Sequence, residues 1–359
     1  MRSARTGPVL ASAGVDRTVR LWDTTSGAVR ATRAGHPAAV LAVAIDPDGK
    51  TLAGGDAYGN VRLTDLADGA VRASVAPHDS GVLAAAFSPD GQRLATGSMD
   101  AEVRLIHVET GTILWTLREH ADEVHGAAFS PKGNLLASVA GERTVALWNP
   151  ATGKLVDVPE QQANGINEVT FSRDGRTLAT AGSDEHVRLW NVATARLVAT
   201  LVGHTSQVTS VAFSPDGRTL PSGSTERTVL LWDFPSGTAR ATLLGHTDEV
   251  PAVAFSPDGR MLAVAGTDQS TRLWDVKSRA PLVTLVGHTN AVFDVEFSPD
   301  GDTLATAGLD KTVRLWRTTL REPAAAVAST CRTVGRDLTP QERSAYLPGQ
   351  SSDPVCGSD

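Results

Sequence analysis

One position of the sequence recurs every 42 residues from near the N-terminus to residue 316. Trp occupies six of the eight occurrences, and no interval between neighbours has gained or lost a residue. The eight positions are Trp22, Thr64, Ile106, Trp148, Trp190, Trp232, Trp274 and Trp316. A fixed period of this length is typical of repeat proteins, in which each unit buries its apolar surface against its neighbours. The period therefore constrains the fold more strongly than any single motif does.

Each repeat reads as a set of short strands joined by tight turns. Within residues 287–316, two apolar strands flank the turn Ser298–Gly301, where Pro fixes one φ angle and Gly accepts a positive one. The spacing of Val292 and Val295 predicts a β-bulge between them. A third strand ends at Trp316, and in the preceding unit a fourth strand leads to the next Gly-His pair.

This pattern resembles the WD-repeat family over residues 9–317. The Gly-His pair, the Ser-Pro-Asp-Gly turn and the Trp-Asp dipeptide all recur. Gly-His stands at 35–36, 203–204, 245–246 and 287–288, the turn or a close variant at 46–49, 88–91, 130–133, 172–175, 214–217, 256–259 and 298–301, and Trp-Asp at 22–23, 232–233 and 274–275. The resemblance implies an all-β fold, a β-propeller of four-stranded blades. The chain also resembles bacterial, actinobacterial-type WD-repeat proteins that carry a C-terminal helical tail containing Cys.

The two ends of the array leave the blade count open between seven and eight. Residues 9–33 supply a second, third and fourth strand without a first, and the last unit has three strands without a fourth. Strand 28–33 would complete the last blade, because propellers usually join strands from both termini and so remove exposed sheet edges. We therefore favour a seven-bladed propeller over 28–317, with 1–27 as a partial repeat or a remnant of a longer array, and 318–359 as a tail.

The tail departs from the 42-residue period and predicts short helices. Pro323 in a first helical turn precedes an Ala-rich run, and Thr339–Glu342 is a capping box that opens a second helix. The two cysteines of the chain, Cys331 and Cys356, both lie in this tail. The sequence leaves open whether these two cysteines form a disulfide, because the cytoplasmic location that we expect disfavours one.

Composition and charge exclude several classes of function. Hydrophobic residues make up 41% and charged residues 20% of the chain, which suits a soluble globular protein. A net charge of −7, spread along the chain, argues against a nucleic-acid surface. No run approaches the roughly 18 apolar residues that span a bilayer, and no signal peptide is evident. We expect a cytoplasmic protein without cofactor, metal, nucleic acid or membrane partner, and a monomer unless it belongs to a larger assembly.

A hydroxyl, a His, an acidic residue and the repeated Trp recur at fixed offsets. In the WD-repeat family such groups form a hydrogen-bonded network inside the blade, so the resemblance implies a structural role for them here. We assign this network to His288, Thr306, Asp310 and Trp316, to His204, Ser222, Glu226 and Trp232, and to His120, Ser138, Glu142 and Trp148. Nothing marks one copy as an exposed nucleophile, and we predict no catalytic residue.

By the resemblance, the chain is a non-catalytic scaffold or sensor that binds a protein or peptide on the face formed by the Gly-His loops. Acidic pairs in two of these loops indicate a basic partner. The predicted contacts are Asp79, Met99, Asp122, Glu123, His125, Ser206, Gln207, Asp248, Glu249, Asn290, Phe293 and Leu309. One alternative is the C-terminal sensor part of a larger bacterial signalling ATPase or kinase. A less favoured alternative is an enzyme that uses a site on the propeller face.

Overall fold

The computed structural model describes residues 1–3, 8–26, 28–157 and 164–318. Within these ranges the chain forms 31 strands in eight antiparallel sheets, and no helix. Each sheet is one blade, and its strands follow chain order. The first strands of neighbouring blades contact each other around the centre, so the fourth strands lie at the rim. The molecule is an eight-bladed β-propeller.

The first four blades take up the N-terminal half of the ring. Their strands are β1 (Arg2–Ser3), β2 (Val9–Ala13), β3 (Val19–Asp23) and β4 (Val29–Arg33) in blade 1, β5 (Val40–Ile45), β6 (Thr51–Asp56), β7 (Val61–Asp65) and β8 (Val71–Val75) in blade 2, β9 (Val82–Phe87), β10 (Arg93–Ser98), β11 (Val103–His107) and β12 (Ile113–Leu117) in blade 3, and β13 (Val124–Phe129), β14 (Leu136–Ala140), β15 (Val145–Asn149) and β16 (Lys154–Asp157) in blade 4.

The last four blades continue the same order. Their strands are β17 (Ile166–Phe171), β18 (Thr177–Gly182), β19 (Val187–Asn191) and β20 (Arg196–Leu201) in blade 5, β21 (Val208–Val211), β22 (Thr219–Ser224), β23 (Val229–Asp233) and β24 (Thr238–Leu243) in blade 6, β25 (Ala252–Phe255), β26 (Met261–Ala265), β27 (Ser270–Asp275) and β28 (Pro281–Val286) in blade 7, and β29 (Val292–Phe297), β30 (Thr303–Gly308) and β31 (Val313–Arg317) in blade 8.

The hydrophobic core is divided into clusters that lie between blades. Seven clusters of buried apolar side chains appear in the described residues, and each is shared by two neighbouring blades. Between blades 4 and 5, for example, Val139 and Leu147 pack with Ile166 and Trp190. Burying one such aliphatic side chain contributes about 1.5–3 kcal/mol. Each blade is therefore stabilised by its neighbours rather than by a core of its own.

Second strands are buried on both faces, whereas fourth strands are mostly exposed. All residues of β6 and β22 are buried, which explains why these segments read as continuous runs of small and apolar residues. The predicted bulge in the last repeat is present, since the register of β29 against β30 shifts between Val292 and Asp294. In the following turn, Gly301 has a φ of 77°.

The ring has eight blades, the second of the two counts that the sequence left open. Strand 28–33 does not complete the last blade, because β4 pairs with β3 in blade 1. The first strand that the N-terminal sequence lacked is supplied by β1, which pairs with β2 although it has only two residues. Residues 1–316 form one compact unit, so the boundary suggested at residue 27 falls inside blade 1. The predicted tail helices, Cys331 and Cys356 lie outside the described residues.

Blades 8 and 1 close the ring through several contacts. Strand β1 contacts β29, and the ammonium of Met1 contacts the carboxylate of Asp294. The hydroxyl of Thr303 donates to the carbonyl oxygen of Thr24 at 2.7 Å. The described residues thus join the first and last repeats without exchanging a strand.

Close packing between blades 2 and 3 depends on a glycine. Gly59 has a φ of +83°, and a Cβ built on it would lie 2.2 Å from the carbonyl oxygen of His78. Gly217 has a similar φ of +68° but nothing within 4 Å of its Cβ position. We expect Gly217→Ala to lower the free energy of unfolding by about 1 kcal/mol, the cost of a left-handed residue. Gly59→Ala should lower it by about 1–3 kcal/mol more, because the neighbouring blade must move.

Chemical denaturation of both variants checks this expectation. Equal losses for Gly59→Ala and Gly217→Ala would show that this contact between blades carries no energetic weight.

Candidate functional site

The hydrogen-bonded network of blade 8 connects four side chains. Nδ1 of His288 lies 2.9 Å from the carboxylate of Asp310, and its Nε2 lies 2.7 Å from the hydroxyl of Thr306. The same hydroxyl accepts a hydrogen bond of 2.9 Å from the indole of Trp316. Because the carboxylate accepts from Nδ1–H, Nε2 is the acceptor of the threonine hydroxyl. Every polar atom of this chain of bonds has a partner.

Blade 6 contains the same network with Glu in place of Asp. His204 lies 2.6 Å from Glu226 and 2.7 Å from the hydroxyl of Ser222, which accepts from the indole of Trp232 at 2.8 Å. Burial raises the pKa of Glu226, but hydrogen bonds from two threonine hydroxyls and from His204 outweigh it and lower the pKa to about 2. Burial lowers the pKa of His204. The pair is therefore a neutral imidazole that donates to a charged carboxylate at neutral pH.

Blade 4 repeats this arrangement. His120 lies 2.8 Å from Glu142 and 2.7 Å from Ser138, and the indole of Trp148 donates to Ser138 at 2.9 Å. Burial again lowers the pKa of His120. The structure thus places all twelve side chains that we assigned to three networks within hydrogen-bonding distance in their respective blades.

Blade 3 holds a fourth network that the sequence analysis missed. His78 lies 2.9 Å from Asp100 and 2.8 Å from the hydroxyl of Thr96. Its partners are 22 and 18 residues away, the same separations as in the other networks. Ile106 replaces the repeated Trp in this unit, so the pattern of His, hydroxyl, acidic residue and Trp is incomplete there. The separations of 22 residues from His to the acidic residue and 18 residues from His to the hydroxyl residue are sufficient to predict this network.

In blade 2 the His of the network has a different acidic partner. Tyr58 occupies the position of the acidic residue, and Gly54 that of the hydroxyl. His36 instead contacts Asp56 at 3.1 Å, only 20 residues away. The side chain of Tyr58 is thereby released from the network and is 69% exposed.

Blade 7 is incomplete. His246 lies 3.0 Å from Asp268, but Val264 occupies the position of the hydroxyl. As a result, Nε2 of His246 and Nε1 of Trp274 are buried without a hydrogen-bond partner among the described residues. Such unpaired buried groups typically cost about 1–3 kcal/mol each.

None of these networks can act as a catalytic triad. The hydroxyl residues Thr306, Ser222 and Ser138 are fully buried, and each hydroxyl is already shared between a His and a Trp. A nucleophile must reach the substrate. Across the described ranges, no three His, Cys, Asp or Glu side chains are grouped so as to hold a metal ion. The described part also contains no helix of the length and hydropathy that a bilayer requires.

The predicted contact residues lie in the Gly-His loops, in the turns between second and third strands, and at the start of first strands. Backbone hydrogen bonds tie loop and turn together in blades 2 to 8, as from Leu309 N to the carbonyl of Ala291 at 2.8 Å. Glu123 and Ser206 are half-buried. The exposed members are Asp79, Met99, Asp122, His125, Gln207, Asp248, Glu249, Asn290, Phe293 and Leu309.

Several of these polar side chains hold their own loops. The carboxylates of Asp122 and Asp248 and the amide oxygen of Asn290 each accept a hydrogen bond from the next backbone N–H, at 2.8–2.9 Å. The hydroxyl of Ser206 contacts that of Thr225 at 2.6 Å. These side chains therefore shape the loops as well as facing solvent.

In the turns between second and third strands and at the start of first strands, the exposed apolar side chains of this face lie on blades 8, 1, 2 and 3. We name this set the apolar arc, and it consists of Val15, Leu41, Tyr58, Met99, Phe293 and Leu309. Val15, Met99 and Leu309 share one repeat position, which in blades 4 to 7 holds Gly141, Ser183, Thr225 and Thr267. Leu41 and Phe293 share another, which in blades 4 to 6 holds His125, Asn167 and Thr209. At these two repeat positions, one half of the ring is thus mostly apolar and the other half mostly polar or small, whereas exposed apolar side chains also precede the Gly-His pairs at Val202, Leu244 and Val286.

The apolar arc borders a central cavity of about 500 Å³. Leu41 and Phe293 line it from one side, and His125 and Asn167 from the other. A second hollow, of about 600 Å³, lies between blades 2 and 3 and is lined by the Asp46–Thr51 and Pro89–Gln92 segments. Burial raises the pKa of Asp46, which replaces the Ser of other repeats.

Comparison with protein families identifies the repeat. The profile described as "WD domain, G-beta repeat" matches residues 1–23, 27–65, 69–107, 195–233, 237–275 and 279–317, more than half of the chain. The chain belongs to the WD40 family. Residues 127–206 also match the profile of the anaphase-promoting complex subunit 4 WD40 domain. WD40 propellers generally act as scaffolds for protein interactions and are typically not catalytic.

One solved structure has a similar fold. The crystal structure of the computationally designed Ika8 protein is similar at a TM-score of 0.78 and 25% identity, over 87% of this chain and 94% of that one. The comparison with curated proteins gave no significant match. The similarity to a designed protein concerns architecture and carries no partner with it.

Removing a network histidine should destabilise its blade. We expect His288→Ala to lower the free energy of unfolding by about 1–3 kcal/mol, because Asp310 and Thr306 lose their shared partner inside the blade. Denaturant unfolding provides the measurement. His107→Ala is the control, since the His107 ring contacts the exposed hydroxyl of the nearby Thr110 and takes part in no blade network among the described residues. Equal midpoints for His288→Ala and the wild type would refute the structural role.

Blade 7 offers the opposite test. Ser or Thr stands at the position of Val264 in six of the other blades, as in Ser222 and Thr306. Val264→Thr keeps the side-chain shape and supplies a hydroxyl to both His246 and Trp274. We expect it to raise the free energy of unfolding by about 0.5–1.5 kcal/mol. Val264→Ala, which only removes packing, should lower the free energy of unfolding. If Val264→Thr is destabilised instead, Nε2 of His246 and Nε1 of Trp274 must have hydrogen-bond partners of another kind.

Proposed function

We propose that the protein is a non-catalytic interaction platform that binds a protein or peptide on the face formed by the Gly-His loops. The observation that carries this proposal is the apolar arc. Its side chains are exposed although their repeat positions are polar or small on most of the other blades. Contiguous exposed apolar side chains on a soluble protein typically mark an interaction site.

The blade scaffold supports this role by fixing the positions of the loops. In blades 2, 3 and 8 the turn that carries an arc residue is bonded to its Gly-His loop, as from Met99 N to the carbonyl of Gly81 at 2.9 Å. Tyr58 is free for contact because Asp56 replaces it beside His36. A rigid surface loses little conformational entropy on binding, which favours affinity.

Charge around the apolar arc indicates the chemistry of the partner. Blades 4 and 7 adjoin the arc at its two ends, and each carries an acidic pair in its Gly-His loop, Asp122–Glu123 and Asp248–Glu249. A partner segment with apolar side chains in the middle and Lys or Arg at its ends would match both features. The expected ligand is therefore a basic, amphipathic protein segment.

Capture of partners from the native lysate tests the proposal. We expect the double variant Phe293→Asp and Leu309→Asp to lose proteins that the wild type retains, because two carboxylates would be buried against an apolar partner. The double variant Asp248→Lys and Glu249→Lys should lower the affinity for the same proteins about tenfold at low salt and by less at high salt.

The matched control is Ser183→Asp, which places a carboxylate at the repeat position of Leu309 on blade 5, outside the arc and outside the two blades that carry the acidic pairs. It should leave binding unchanged. Thermal unfolding of all variants ensures that losses reflect the surface. Retention of every partner by the Phe293 and Leu309 variant would contradict the assignment of this face.

A further inference from the structure

The rim of the propeller differs between blades at one repeat position of the fourth strand. In blades 1, 2 and 6 this position holds Arg30, Arg72 and Arg240. In blades 3, 4, 5 and 7 it holds Leu114, Val156, Val198 and Leu282. A cationic side chain on an outer strand is a common device against pairing with other chains. The rim lacks this protection along blades 3 to 5.

Strand β12 in blade 3 is the least protected of these edges. Its residues Ile113, Leu114 and Trp115 are 46%, 36% and 40% exposed. Among the seven fourth strands that the structure describes, β12 alone contains neither a charged residue nor a proline. Uncharged, β-prone segments of this length pair readily with further strands when they lie at an edge.

Among the described residues, the outer edge of β12 has no strand paired with its backbone. Its inner edge pairs with β11. Trp115 is held in place, since a Cβ on Gly153 of blade 4 would lie 2.4 Å from its ring. Leu155 and Val156 of blade 4 continue the apolar surface beside it. The site therefore combines unpaired main-chain groups with an ordered aromatic side chain.

We propose that the outer edge of β12 binds β12 of a second copy of this chain, in antiparallel pairing about a two-fold axis. Glu109 and Arg118 bracket an uncharged run of residues 110–117 with opposite charges. Antiparallel pairing brings Arg118, which contacts Glu102 of its own copy and is itself 69% exposed, near Glu109 of the second copy, whereas parallel pairing would bring like charges together. Both partners then present the same uncharged edge, as an isologous interface requires.

The interface is weak. The exposed apolar parts of β12 and of its neighbours in blade 4 offer roughly 300–400 Å² per copy, below the roughly 800 Å² per partner of a stable complex. Main-chain hydrogen bonds of strand addition supply the rest of the affinity. We infer a dimer that forms in the micromolar to millimolar range, in place of the monomer that the sequence led us to expect. The dimer leaves the Gly-His face of both copies open.

Sedimentation equilibrium of the full chain, up to about 1 mM, tests this proposal. Wild type should dimerise with rising concentration. Leu114→Arg should weaken the dimer about tenfold or more, because a guanidinium would be buried at the pairing edge. Val198→Arg introduces the same residue at the same repeat position of blade 5 and should leave the dimer unchanged. Arg30, Arg72 and Arg240 show that the fold accepts Arg there, and thermal unfolding verifies it for each variant.

A charge exchange tests the antiparallel orientation. Glu109→Arg should weaken the dimer, and adding Arg118→Glu to it should restore the wild-type dissociation constant. Failure of the double variant to recover would overturn the two-fold arrangement. A wild type that stays monomeric throughout would overturn self-association. Equal losses for Leu114→Arg and Val198→Arg would overturn the assignment to β12.

Discussion

The packing of apolar side chains between neighbouring blades is the interaction on which the rest of this molecule depends. A four-stranded sheet with both faces apolar cannot remain folded alone in water, and clusters such as that of Leu147 with Trp190 bury those faces in pairs. The same geometry must then recur at each joint. This requirement explains why the 42-residue spacing carries no insertion between Trp22 and Trp316, while the residues of the loops change freely.

The hydrogen-bonded networks vary more than the clusters do. Blade 8 has every partner in place, whereas blade 7 keeps its fold with Val264 in the hydroxyl position and two buried nitrogen atoms unpaired. Burial of the blade faces, not the networks, must therefore supply most of the stability. The networks fix how each loop sits on its blade, because the acidic residue in the turn also bonds the loop backbone, as Asp310 does with Thr289 N at 3.1 Å. The networks therefore contribute a fixed arrangement of the loops on this face of the propeller.

Local features were predictable from the sequence because fixed spacing inside one blade fixes geometry. The bulge near Val292 and the partners of His288 follow from this rule. The role of the N-terminal strands did not follow, since β1 has only two residues and shows no alternation. The contact of His36 with Asp56 breaks the usual separation and gave no signal. Of the apolar arc, Met99, Phe293 and Leu309 were predicted as contact residues, whereas their grouping with Val15, Leu41 and Tyr58 requires knowing that blade 8 adjoins blade 1.

The joint between blades 8 and 1 has a mechanical consequence. Everywhere else in the ring a continuous main chain passes from one blade to the next, so a force that separates two blades must also extend a covalent linker. At this joint the described residues provide only side-chain and surface contacts, such as the bond of Thr303 to Thr24. Under tension we expect blades 8 and 1 to separate before any other pair of blades. The ring would then open into a curved array while its individual sheets stay intact.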